Sequence, residues 1–263
     1  MGCVFVTGAS RGFGRGIARA FAARKANLAL LARTESDLNQ VADEVSKEGA
    51  RALVLTADMT DMEAMQSAME QAAAHFGTLD TLVQVAGANA EMGPFQDFTW
   101  ERWRTTIDVD LHGMFNALQA ALPIMRESNQ GQIIVISSSA AMAMTPLNSS
   151  FCPAKAAQVA LTECLRKELV AFGLTVHCLC PVLTPHGNIG KTAIPRFAEL
   201  FGMSAAQVLE QRVPSPHLTA EDVGQAVVTL TETTEGGVWK VDSAGLYPWS
   251  FEDFNRAALT IGM

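Results

Sequence analysis

The chain has 263 residues, 49% of them apolar, and a formal net charge of −8. That is enough apolar material for a large α/β core, and an acidic chain with no dense Lys/Arg tract lacks the electrostatic term that dominates nucleic-acid binding. Apolar runs such as 28–32 and 133–136 are too short to cross a bilayer, the first residues lack a signal peptide's basic and apolar regions, and the five cysteines form no CxxC pair and no Cys/His ligand spacing. These features predict a cytoplasmic protein with reduced thiols, no disulfide, no metal site, and neither a nucleic acid nor a membrane as partner.

An apolar strand at 3–6 runs into Thr7-Gly8-Ala9-Ser10-Arg11-Gly12-Phe13-Gly14, and a helical segment with Ile17 and Phe21 follows. Glycine lets backbone adopt positive φ and approach a phosphate, while the N–H groups and dipole at the start of a helix attract negative charge. A glycine-rich surface turn is the plain alternative; a strand before and a helix after favour a nucleotide cradle. Further strands are read at 28–31, 53–56, 81–85, 133–136, 175–180 and 237–241. Helices are read at 35–48, 62–76, 100–127, 150–171 and 220–231. Continuous apolar strands joined by helical crossovers predict a Rossmann-like doubly wound parallel sheet of seven strands, with helices on both faces, in a single domain over 1–263. Residues 185–216 break the rhythm, with a helical piece at 193–201; the segment reads as a lid over the site or as a surface insertion.

In such sheets the ligand lies beyond the carboxyl ends of the strands. After the second strand, where an NAD-binding protein places an acidic residue on the ribose, this chain has Ala32 and Arg33. Arg33 and Arg11 suit a 2′-phosphate, which favours NADP(H) over NAD(H). Asp58, after the third strand, suits an adenine amino group or an ordinary turn.

TGASRGFG at 7–14, LLAR at 30–33, AD at 57–58, AG at 86–87, ISS at 136–138 and the helix carrying Lys155 occur in an order and spacing that resembles the short-chain dehydrogenase/reductase family. The resemblance covers nearly the whole chain. It implies a pyrophosphate at the backbone of Gly8, Ser10, Gly12, Phe13 and Gly14, a 2′-phosphate near Arg11 and Arg33, adenine at Asp58, and a ribose beside Gly87 and Lys155. It also implies a homodimer or homotetramer formed through the helices at 100–127 and 150–171.

The departures from that family concern the chemistry. Its ketone reductases use Asn, Ser, Tyr and Lys, with the tyrosine four residues before the lysine. Here Lys155 is preceded at that spacing by Phe151, Ser138 keeps the serine's register, and the asparagine position is Asp110. Asn-Asn-Ala-Gly reads Gln84-Val85-Ala86-Gly87, and Pro-Gly reads Pro181-Val182. Phenylalanine cannot protonate an alkoxide, and positioned acid catalysis is worth roughly 10² to 10⁴ in rate. The candidate catalytic residues are therefore Ser138, Lys155, Asp110 and position 151. The leading expectation is an NADP(H)-dependent reductase of a largely apolar small molecule whose acceptor needs no tyrosine: an iminium, an activated alkene or an unusual carbonyl. Alternatives are a non-redox dehydratase, isomerase or cyclase using Ser138, Asp110 and His186; a catalytically inactive NADP(H)-binding protein; and a reductase with an engineered Tyr-to-Phe change. Cys152 is read as packing, and residues 142–148, with the lid, as the shape that selects substrate.

Overall fold

The computed structural model describes residues 2–89 and 92–250. Seven parallel strands form as the apolar runs dictate: β1 Cys3–Thr7, β2 Asn27–Ala32, β3 Arg51–Thr56, β4 Thr81–Gln84, β5 Gly131–Ile136, β6 Leu174–Pro181 and β7 Gly237–Asp242. The predicted seven-stranded sheet gains an eighth strand, β8 Gly245–Pro248, antiparallel to β7. Ala244 N donates to Asp242 Oδ1 at 2.9 Å across the intervening turn, a local bond that reverses the chain. Four residues ending in proline carry too little periodicity to announce a strand.

The strand order is β3-β2-β1-β4-β5-β6-β7-β8. It reverses direction between β1 and β4, and a crevice opens at the carboxyl ends there. On one face α1 (Gly12–Ala22), α2 (Glu35–Lys47) and α10 (Ala220–Thr231) cover a core that includes Ile17, Phe21, Leu30 and Val227. On the other, α3 (Met62–Phe76) and α5 (Gly113–Ser128) cover Phe5, Leu82, Met65 and Met114. The predicted helix at 100–127 is broken into α4 (Trp100–Ile107), one π-helical turn at Asp108–His112, and α5. The short α6 (Ala140–Ala143) and the long α7 (Phe151–Leu169) follow β5. Residues 185–216 hold α8 (Asn188–Phe201) and α9 (Ala205–Arg212), which pack on Met92 through Ile194, Phe197 and Val208 as a separate apolar cluster. Residues 1, 90, 91 and 251–263 of the expected single domain lie outside the described residues. No helix among the described residues is long and apolar enough to cross a membrane.

Candidate active site

Thr7 ties the switch point together. Its hydroxyl bonds Gln84 Oε1 and accepts from the backbone N of Val85 (2.9 Å) and Ala86 (3.2 Å), so the ends of β1 and β4 are held as one unit. Gln84 Nε2 in turn donates to Ala86 O at 3.2 Å. Gly8 follows with φ +64°, and a methyl there would stand 2.9 Å from Ala86 Cα. Both its conformation and its space require glycine. A cleft of about 500 Å³ opens above this point, lined by the turn at 8–14, the ends of β2 to β5, and the first turn of α8.

Every cofactor residue expected from the sequence lines this cleft: Gly8, Ser10, Arg11, Gly12, Phe13, Gly14, Arg33, Asp58, Gly87 and Lys155. The N-cap positions of α1 (Arg11) and α8 (Gly187) have no side-chain cap, so the leading N–H groups of both helices remain available to a ligand. The two ends are close: a methyl on Gly12 would stand 3.6 Å from Asn188 N. These donors suit a phosphate group. Arg33 carries a largely exposed guanidinium 4.0 Å from Asp58 Oδ2. Asp58 Oδ1 accepts from Thr60 N at 2.9 Å, and that bond leads the effects that hold its carboxyl below the usual range. Sequence reasoning missed Asp37, Asn89, Thr184 and Asn188, all in the lining. Asp37 lies in the first turn of α2, where a single exposed carboxylate carries no signal; Asn89 and Thr184 belong to loops, and Asn188 opens α8, whose place over the cleft only packing sets.

Ser138, Phe151 and Lys155 also line the cleft. Ser138 Oγ accepts from Ala140 N at 3.1 Å, and no bond donated by its hydroxyl is present among the described residues. Phe151 is buried, one helical turn before Lys155, with its ring centroid 5.4 Å from Nζ. Ser137 Oγ donates to Lys155 O at 2.9 Å and pins α7 to the end of β5.

Asp110 does not line the cleft. The π-helical turn directs it inward while Asp108 faces out to Arg104 and His112, and Asp110 is fully buried with Oδ1 3.0 Å from Lys155 Nζ. Burial raises its pKa above the usual carboxylate value, against the opposing pull of the Lys155 ammonium. The ammonium also donates to Gln158 Oε1 (3.1 Å) and Ile136 O (3.4 Å). Cys152 is buried with its thiol directed at Thr145 O, and desolvation raises its pKa, which suits packing. His186 and residues 142–148 are absent from the described lining; the wall comes from 181–192 instead.

The family model described as short chain dehydrogenase matches residues 2–192. Oxidoreductase UcpA of Salmonella typhimurium is 37% identical over 183 residues, 68% of this chain and 69% of the relative. An actinorhodin polyketide ketoreductase solved with NADPH superposes with a TM-score of 0.82 at 22% identity, covering 90% of this chain and 95% of its own. A xylitol dehydrogenase solved with NAD+ superposes with a TM-score of 0.83 at 23% identity, covering 90% and 96%. These two structural likenesses speak for the fold. With the glycine turn at the switch point and Ser138 and Lys155 in the lining of the same cleft, the sequence match places this chain in the short-chain dehydrogenase family of oxidoreductases.

Proposed function

We propose that the protein binds NADP(H) and reduces an acceptor that needs no phenolic proton donor, an iminium, an activated alkene or an unusual carbonyl. The observation that carries this reading is the apolar Phe151 ring in the lining of a cleft that also holds the glycine turn and two uncapped helix starts. The preference for the 2′-phosphate rests on Arg33 and Arg11, with no carboxylate at the end of β2. Asp37 opposes it, and the solved ketoreductase with NADPH supports it by analogy.

The bound nicotinamide would supply hydride. Of the chain's own groups, the backbone N–H groups at the starts of α1 and α8 would hold phosphate, and Arg33 would pair with the additional 2′-phosphate charge. Ser138 has a hydroxyl free to donate to a polar atom of the substrate. Phe151 presents an apolar wall and offers no proton, so the enolate or alkoxide left by hydride addition to an alkene or carbonyl takes its proton from solvent. An iminium carbon that accepts hydride becomes a neutral amine at once, so the electron pair is accounted for with no acid. The helices α8 and α9 act as the lid, the chain forms a single domain, and the exposed Trp100, Phe115 and Val170 belong to a homo-oligomer interface that light scattering would detect.

The test is calorimetric binding of NADPH, followed by a panel of cyclic iminium ions, conjugated alkenes and simple ketones. Stoichiometric NADPH oxidation confined to the first two classes is expected. Rapid reduction of simple ketones by the chain as it stands overturns the proposal, as does turnover without change in NADPH absorbance.

A further inference from the structure

Lys155 and Asp110 form an ion pair with almost no solvent around it: the two side chains are 3% and 0% exposed, and Nζ and Oδ1 are 3.0 Å apart. The surrounding backbone is arranged for this pair. Gln158 accepts from Nζ at 3.1 Å and donates through Nε2 to Asp110 O at 2.6 Å, joining α7 to the π-helical turn. Ala88 N points at Asp110 Oδ2 at 3.4 Å. Gly87 leaves the necessary space, since a methyl there would stand 2.5 Å from Asp110 Oδ1 and 3.2 Å from Lys155 Nζ. Removing a buried ammonium's partner is costly, so the carboxylate and the lysine are locked together.

The same ammonium lies 5.4 Å from the centre of the Phe151 ring. A lone positive charge at 4–6 Å lowers the pKa of an acid by about 1–3 units. An ammonium already paired at 3.0 Å acts on position 151 only as a dipole, whose field falls off faster and is largely cancelled by the carboxylate.

We propose that Asp110 is a positioning residue that holds the Lys155 ammonium inward and cancels its field at position 151, so that the carboxylate at 110 and the phenyl ring at 151 are one coupled departure. A tyrosine placed at 151 alone then remains an ordinary phenol. The coupling needs no cofactor, so its test fails or succeeds independently of the proposed reductase activity. Among the described residues the Cys180 thiol also lies within reach of this ammonium; a hydrogen bond with Cys178 and burial raise it.

The experiment is a spectroscopic titration of tyrosinate absorbance in Phe151→Tyr and in Phe151→Tyr/Asp110→Asn, without cofactor. The natural chain has one other tyrosine, Tyr247, whose titration gives the baseline to subtract. Asparagine keeps the shape and the contact to Ala88 but removes the charge. The new phenol is expected at or above the ordinary value of about 10 in the single variant, and at least about one unit lower in the double variant. A phenol well below 10 in the single variant overturns the proposal, as does an identical value in both. Should Phe151→Tyr/Asp110→Asn fail to fold, Phe151→Tyr/Asp110→Ser takes its place with the same expected drop; burial alone holds a phenol at or above its ordinary value, so in the single variant only a depressed phenol is decisive, and it refutes the coupling.

Discussion

Arg33 stands at the end of β2 with its guanidinium mostly in solvent and only a loose contact to Asp58. A solvated arginine of this kind is free to pair with a phosphate, and a charge-assisted hydrogen bond contributes about 1.5–3 kcal/mol, one to two decades of affinity. Arg33→Ala is therefore expected to weaken NADPH binding about tenfold or more while leaving NADH unchanged, as calorimetry would measure. Equal loss for both dinucleotides would assign Arg33 a role unrelated to the 2′-phosphate. Asp110 shows the opposite situation. Its neighbour at 108 is a half-buried carboxylate held by Arg104 and His112, whereas two residues later the same residue type is fully buried against Lys155. The difference is geometric: about 100° of helix rotation per residue, with a π-helical turn inserted, sends the two side chains to opposite sides.

Among the elements, the crossing of α1 and α10 is set by small residues. A methyl on Gly224 would lie 2.6 Å from Gly16 O, and one on Gly16 would lie 2.3 Å from Ala220 O. Gly224→Ala must push the helices apart and is expected to cost about 1–3 kcal/mol in urea denaturation, despite alanine's better helix propensity. Between β6 and β7, Trp239 Nε1 donates to His177 Nδ1 at 3.2 Å, which fixes the neutral ring with its proton on Nε2. Burial lowers this histidine to about 4 from the ordinary 6.5. The folded state thus disfavours the proton that the unfolded chain takes up. The contribution is complete above pH 6.5 and disappears as pH falls toward 4, amounting to about 3 kcal/mol. Denaturation midpoints across that window should fall in the natural chain and flatten in His177→Gln; an unchanged slope would place the titrating group elsewhere.

For the whole molecule, the cleft joins the turn at 8–14 to α8, segments far apart in sequence, so a ligand that bridges them stabilises the folded state by mass action. At one hundred times its Kd, NADPH should add about 2.7 kcal/mol, a rise of roughly 5–10 °C in Tm for a chain of this size, and a scan that shows no shift would count against the cradle. Much of this architecture was legible beforehand. The apolar runs determined the seven parallel strands and their crossovers, because a strand buried on both faces must be apolar throughout, and the glycine turn at 8–14 marked one wall of the cleft. Phe151 and Lys155 followed from the resemblance to the family's tyrosine and lysine, one helical turn apart. The burial of Asp110 was not legible, nor were the inward turn of Lys155 or the eighth strand. Each depends on which distant segments pack together, and the sequence states a residue's charge but not whether water or a buried ammonium will face it.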